Sequence, residues 1–533
     1  MHAPSVSARL FRGYSWVARR EMLACAAVLF LTLGIRAALL PWYPPPLPTI
    51  ADEFSYLLAG DTYASGHLTN PAHPMWQHFE TFHELMQPVY ASKYPVLQGL
   101  VLAFGEKLFG QPWAGVYLSA GLMCAAVCWM LYGWVSANFA FLGGLLFALH
   151  CGIFGYWMNS YWGGAVAAIG GSLVLGALIR IWRRRRVVHW ITLTCGLAIL
   201  MHSRPWEGSV LGLEAVLLLA WAWREFAPDF RRRCLRAAIP ALAIILVSVG
   251  AIGYIDHRVT GSVRLMPHAL YDHQYVVAPM FAFLPLRPEP VYRHGEMKQF
   301  FADWNVELWR DTRKDPLGSF MENLSQLYGF FFGLWPLLIP ALVWPYPLKS
   351  PEERATVALL AGFLALAILP LIAVQAHYAA PVAGLIYVRF LQTLSRLNRW
   401  RPRGRAVGPA LGAVFASLFV YQFALSVVIL FRLGVEVSPF ALARNQIAQE
   451  LARVPGKQLV LVRYAPDHRF HDEWVWNRAD IDGSQTVWAH AMEDPAQDQE
   501  LLHYYPDRKA WLLEPDKKAV KLIPYPEAGA RAP

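Results

Sequence analysis

Charge is scarce in this chain. Only 16% of its 533 residues are Asp, Glu, Lys or Arg, while 56% are hydrophobic; an ordinary soluble domain carries roughly 25% charged residues. That shortage excludes the string of soluble domains that length alone would suggest. Cysteine is sparse too. Cys25, Cys124, Cys128, Cys151, Cys195 and Cys234 lie in apolar segments or beside basic runs, and none forms a C-x-x-C pair. Neither a disulfide framework nor a zinc framework is indicated, and all six read as small buried hydrophobes. No internal repeat is visible, which weighs against the duplicated halves of many transporters. No small-residue cleavage site follows the first apolar run; Pro41-Trp42-Tyr43-Pro44 follows instead, so that run reads as a retained signal anchor.

What the chain does have is a series of apolar runs, each near the 20 or so residues that a membrane-spanning helix needs. Its basic residues gather in short stretches beside those runs: Arg19-Arg20, Arg183 to Arg186, Arg231 to Arg233 with Arg236, and Arg396 through Arg405. This is the pattern of cytoplasmic loops. The net charge of +10 therefore does not imply nucleic acid, since aromatic residues are not interleaved with the basic runs.

Run lengths and basic loops together predict an all-α polytopic membrane bundle of about 11 transmembrane helices over residues 1–432. The expected spans lie near 21–41, 113–135, 138–157, 165–182, 187–203, 207–224, 237–255, 325–345, 355–374, 379–394 and 407–431. Two long external loops follow, 42–112 and 256–320. The stretch 94–109 is short and holds Glu106-Lys107, so it is expected to lie in the interface. Counting it as a span would put Arg183 to Arg186 outside. Arg36, within the first span, should face protein or a polar cavity because a charge is costly in lipid. Residues 433–533 turn polar and predict a small external α/β domain. Its strands are expected at Leu459–Val462, Thr486–Trp488 and Ala510–Leu513, with helical stretches at Phe440–Arg453 and Asp498–Tyr504. The expected setting is a bacterial inner membrane, crossed many times, with the N-terminus cytoplasmic and the C-terminal domain periplasmic.

The stretch around which the rest is expected to be arranged is Thr49-Ile50-Ala51-Asp52-Glu53-Phe54-Ser55-Tyr56. Two adjacent carboxylates stand where the first span should meet water, followed by about sixty polar, aromatic and histidine-rich residues. Large loops held by a rigid scaffold commonly carry function, and a carboxylate there suits a general base toward a hydroxyl. An acidic pair alone reads better as a solvated cap on a short interfacial helix; its position just after the first span, ahead of a long aromatic loop, decides for the functional reading. His67, His73, His78 and His83 recur in the same loop, but their irregular gaps show no metal-ligand spacing, so no metal is assigned. His83 and Tyr56 are read as substrate contacts. In the second loop, His268, Tyr271, Asp272, His273 and Tyr275 cluster, with His273 and Tyr275 read as recognising sugar or acceptor.

These features resemble the GT-C superfamily, polytopic glycosyltransferases that use lipid-linked sugar donors, with the protein O-mannosyltransferases and lipid A aminoarabinose transferases among its members. The resemblance rests on Asp52-Glu53, on Lys93-Tyr94-Pro95 through Leu108-Phe109-Gly110, on Gly196-Leu197 to Arg204-Pro205, and on His377-Tyr378-Ala379-Ala380-Pro381. It covers about 20–395. It implies a membrane glycosyltransferase in which Asp52 deprotonates an acceptor hydroxyl on the periplasmic face. The hydroxyl then displaces a polyprenyl phosphate from the sugar with inversion, and Glu53 orients Asp52 or binds the sugar. The anionic leaving group needs placed cations, for which Lys93 and Arg204 are the candidates, with His377 and Tyr378 beside the donor phosphate. The implied partners are a polyprenyl-phosphate sugar donor, a glycan, lipid or protein acceptor, and membrane lipids. No cofactor is required. One departure stands out: the short loop after the third span, Met158-Asn159-Ser160-Tyr161-Trp162, lacks the acid many such enzymes carry there, which removes support for a divalent metal and leaves Asn159 as a hydrogen-bonding substitute. The competing function is a transporter or flippase of lipid-linked glycans.

Overall fold

The computed structural model describes residues 6–337, 348–518 and 520–525. Helix α1 (Val6–Ala18) leads into α2 (Glu21–Ala38). The first long loop then folds as α3 (Ala51–Ala64), short strands β1 (Asn70–Pro71), β2 (Glu84–Leu85) and β3 (Val89–Ser92), and α4 (Val96–Phe109). The bundle continues with α5 (Trp113–Trp134), α6 (Ala137–Phe147), α7 (Ala165–Trp182), α8 (His189–Met201), α9 (Pro205–Ala222) and α10 (Pro228–Thr260). The second loop holds α11 (Pro267–Tyr275), α12 (Gly295–Lys298) and α13 (Asn305–Lys314). After these come α14 (Pro316–Phe331), α15 (Pro351–Phe363), α16 (Ala383–Leu397) and α17 (Val407–Leu433).

Every expected span coincides with a helix over at least part of its length, except that 338–345 of the eighth lies outside the described residues. Among the described residues, five helices are long and apolar enough to cross a membrane: α2, α5, α7, α10 and α17. The count of about 11 is not reached on length, because several elements are short or interrupted. The 13 residues of α8 extend only about 20 Å. The sequence stretch of α6 passes into a π turn at Ala148–Gly152, and that of α15 into another at Leu364–Ile368.

Ion pairs sort the helix ends into two poles. At one, Arg180 at the end of α7 meets Glu21 at the start of α2, Arg183 meets Glu352, and Arg396 meets Glu353. At the other, Arg36 is fully buried: its Nε donates to Asn159 Oδ1 (2.9 Å) and its Nη1 to the Tyr43 carbonyl (2.7 Å). Its guanidinium also faces the Tyr43 and Trp113 rings. Asn159, expected to stand in for an acid, is instead occupied in holding this arginine, its Nδ2 donating to the carbonyls of Ile153 and Gly155.

Glycine lets α3, α4 and α5 approach closely, as small residues do between membrane helices. A Cβ on Gly115 of α5 would lie 1.9 Å from the Val101 carbonyl oxygen of α4, and one on Gly60 would lie 2.8 Å from Leu102 Cβ. The outer face of α4 presents Leu100, Phe104 and Leu108, all exposed and spaced by one turn, the stripe an interfacial helix needs.

The C-terminal segment forms α18 (Pro439–Arg453), β4 (Lys457–Val462), β5 (Thr486–His490), α19 (Pro495–Tyr504), β6 (Arg508–Leu513) and β7 (Leu522–Pro524). Its sheet runs β5-β4-β6-β7, parallel except for β7. Each strand and helix expected from the sequence is present. This sheet is not a satellite, however. Phe54 of α3 stacks on Trp476 at 4.8 Å, and Phe82, Tyr271 and Phe301 from the two loops share one core with Val460 and Trp488. Asp61 of α3 accepts from Arg478 and from the Ala479 backbone N–H. The two loops and the sheet fold as one cap over a single pole of the bundle.

Candidate active site

Asp52 and Glu53 occupy the first turn of α3, where the exposed backbone N–H groups and the helix dipole favour carboxylates. Their environments differ. Glu53 is 2% exposed, and both its oxygens are used: Oε2 accepts from the Thr49 backbone N–H (2.8 Å) and hydroxyl (3.0 Å), and Oε1 from the Tyr161 N–H (2.8 Å). Burial raises its carboxyl above the usual range, against those hydrogen bonds. Glu53 thus ties the start of α3 to the loop before α7 and fixes the orientation of the turn that carries Asp52. The Asp52 side chain is 23% exposed and opens toward solvent.

Around Asp52 stand aromatic rings and cations. Tyr94 donates its hydroxyl to Asp52 Oδ1, and His83 Nε2 lies 3.8 Å from Oδ2. Tyr94 stacks on Tyr56 at 4.5 Å, so both rings form a wall. Lys93 is 7% exposed, with its Nζ 5.3 Å from the centre of Tyr94 and 4.6 Å from that of Tyr271. Burial lowers its ammonium below the ordinary value, opposed by the charges of Asp272 and Asp52. Its place is set by β3, which ends at Ser92, and by Pro95, the N-cap of α4.

Arg204 is placed by a similar device. Pro205 opens α9 and leaves Arg204 as the N-cap, outside the helix. Its guanidinium lies 4.9 Å from the Tyr378 ring centre and its Nη1 3.9 Å from Glu207. Tyr378 is also within electrostatic reach of Asp52. Tyr56 and Tyr378 both feel the charges of Asp52 and Arg204, so Asp52, Tyr94, Tyr56, Lys93, Tyr378 and Arg204 share one electrostatic neighbourhood. His377 adjoins it: its Nδ1 is 2.9 Å from the Tyr156 hydroxyl, and burial followed by the Arg204 charge keeps the ring neutral. His83 has φ +64°, its N–H donates to Tyr271 Oη (2.7 Å), and its Nδ1 has no partner. Burial and the Lys93 charge depress its basicity strongly.

Two candidates stand apart. His273 is exposed on α11. Tyr275 donates to Glu80 (2.8 Å) within the core shared with the sheet. Tyr271, one turn before Tyr275 on the same buried face of α11 and 4.8 Å from it, is the tyrosine that stands beside Lys93. Sequence reasoning passed over Tyr94 as a site residue, although it lies between Lys93 and Pro95, and gave Glu207 and Tyr156 no role. Nothing in a single sequence distinguishes those tyrosines from an interfacial belt.

Comparisons with protein families and with curated proteins find no match. Among solved structures, ArnT from Cupriavidus metallidurans bound to undecaprenyl phosphate aligns with 94% of this chain and 93% of its own, at a TM-score of 0.52 and 13% identity. ArnT in the apo state gives 0.51 at 14% identity, over 92% of this chain and 94% of its own. An Archaeoglobus fulgidus oligosaccharyltransferase in complex with Zn and sulfate gives 0.45 at 13% identity, over 91% of this chain and 67% of its own. The chain has the fold seen in ArnT, as the resemblance drawn from the sequence implied.

Proposed function

We propose that the chain is a membrane glycosyltransferase that transfers a sugar from a polyprenyl phosphate to an acceptor hydroxyl. The observation that carries this reading is the pairing, in one cluster, of a solvent-open carboxylate with two cations held in aromatic surroundings. Asp52 Oδ2 accepts the hydroxyl proton as the acceptor oxygen attacks the anomeric carbon. The carbon–oxygen bond to phosphate breaks, and its electron pair leaves with the polyprenyl phosphate. Lys93 supplies a point charge and Arg204 a planar fork for that phosphate. Low solvent access strengthens both interactions. A single displacement inverts the anomeric centre. Glu53 acts through Asp52 by holding the helix turn. That ArnT was crystallised with undecaprenyl phosphate agrees with a lipid-phosphate donor, and the reaction face is taken to be periplasmic because the cap lies at the pole opposite the arginine-rich ends.

The test uses proteoliposomes holding the purified chain with a panel of undecaprenyl-phosphate sugars and a hydroxyl acceptor extract. Transfer of label from lipid to acceptor, with release of undecaprenyl phosphate, is expected. Movement of the labelled lipid between leaflets without product would instead mark a flippase and overturn the reading.

A further inference from the structure

A second cluster lies in the cap outside the Asp52 site, where α12 faces the end of β5. His294, Glu296 and His490 are each under 10% exposed, and their ligand atoms lie within 4.8 Å of one another. The two imidazoles stack at 4.0 Å, and His490 Nδ1 is 3.2 Å from Glu296 Oε1. Their hydrogen bonding is incomplete in a telling way. His294 Nε2 donates to the Gln77 carbonyl (2.8 Å), which leaves Nδ1 as a free lone pair. Glu296 Oε1 and His490 Nε2 have no hydrogen-bond partner, nor has Glu473 Oε2 beside them. Buried polar atoms are rarely left so.

The charge balance points the same way. Glu80, Glu296 and Glu473 are all buried here. Among the described residues, Arg293 pairs with Glu80 at 3.4 Å, while Glu296 and Glu473 have only His490 within ion-pair distance. Burying carboxylates without a cation is costly, and a cation among them would offset that cost. The cluster also lines a cavity of about 1040 Å³ between the second loop and the sheet, bordered by His78, Tyr464 and His468.

We propose that His294, Glu296 and His490 bind one divalent transition-metal cation, joining the second loop to the C-terminal sheet and leaving a coordination position open to this cavity. Two imidazoles and a carboxylate suit zinc among such ions. Zinc bonds of about 2.0–2.2 Å place tetrahedral ligands about 3.4 Å apart, so ligand atoms now within 4.8 Å of one another close by up to about 1.4 Å, and the stacked imidazoles turn so that both lone pairs meet the ion. One outer partner is in place, the Gln77 carbonyl that takes the far nitrogen of His294, and Glu473 Oε1 stands 3.9 Å from His490 Nε2, close enough to become the other when His490 turns its Nδ1 to the metal, the carboxylate–histidine arrangement that orients metal-bound imidazoles.

The experiment strips the purified full-length protein with a chelator and titrates Zn²⁺ against a chromophoric competitor. One equivalent is expected to bind, and His490→Gln or Glu296→Gln should weaken it by about 100-fold or more, since even outer partners contribute about 10- to 100-fold. His67→Ala, in the first loop and outside the cluster, should bind like wild type. Zinc-edge X-ray absorption on the wild-type protein avoids any folding defect of the variants and should show nitrogen and oxygen ligands with two imidazoles. Binding of no zinc, wild-type affinity in both cluster variants, or a shell with sulfur or without two imidazoles would each overturn the proposal.

Discussion

Removing the Tyr94 hydroxyl is a sharp perturbation of the Asp52 site. Tyr94→Phe deletes the hydroxyl that donates to Asp52 Oδ1 while keeping the ring that stacks on Tyr56 and flanks Lys93. A hydrogen bond to a charged group contributes about 1.5–3 kcal/mol. Because the Asp52 side chain is 23% exposed, water replaces part of that interaction, so the lower end applies. At about 1.36 kcal/mol per decade, kcat should fall roughly tenfold from looser positioning of the base, with the donor KM changed by less than about threefold. Stability should fall by no more than about 1.5 kcal/mol, since the part-exposed Asp52 carboxylate regains water in place of the lost donor. Tyr94→Leu removes the ring as well, and with it the Lys93 contact, which contributes about 0.5–2 kcal/mol; it should also weaken binding of undecaprenyl phosphate. Transfer kinetics in detergent and binding of undecaprenyl phosphate measure the two effects separately. An unchanged kcat in a folded Tyr94→Phe protein would refute the idea that this hydroxyl positions Asp52.

Three further outcomes are expected. Burial holds Lys93 below 10.5, so activity that needs its charge should decline at a lower pH than an exposed lysine would give, and Lys93→Arg should move that alkaline limb upward; an unmoved limb would exclude Lys93 as its source. Glu53 is held above 4.5 when folded, so the folded state keeps its proton longer than the unfolded chain and this residue's contribution to stability falls as pH rises from 4.5 through the folded value. The difference in Tm between wild type and Glu53→Gln should therefore shift against wild type across that window, and a pH-independent difference would contradict the assignment. Gly115→Ala drives a methyl into the Val101 carbonyl and should destabilise the packing of α4 on α5 by about 1–3 kcal/mol, seen as a lower Tm in detergent.

The positions of the helices were legible because a membrane imposes its period and charge asymmetry on the sequence. The basic runs after α7 and α16 marked one pole, and Arg180–Glu21 and Arg396–Glu353 join the structure there. The strands of β4 to β6 were equally plain as short apolar runs between turn residues. What the sequence hid was assembly. Phe54 and Trp476 are more than four hundred residues apart, and neither pattern announces that they stack. The same holds for the site. Asp52, Lys93 and Arg204 stood out as charges beside apolar segments, whereas Tyr94 acts through a hydroxyl whose partner only folding supplies. His294 and Glu296 stand two residues apart, but His490 lies on a strand almost two hundred residues further on, so no single stretch held the whole ligand set.

The central claim is that Asp52 is the base of a transfer reaction, and Asp52→Asn tests it directly, because the amide keeps an oxygen for the Tyr94 hydroxyl while losing the basic site. With the purified, folded variant and a donor that supports wild-type turnover, transfer should fall by about 100- to 10,000-fold, while undecaprenyl phosphate binds as tightly as before. Transfer at the wild-type rate by that variant would contradict the account.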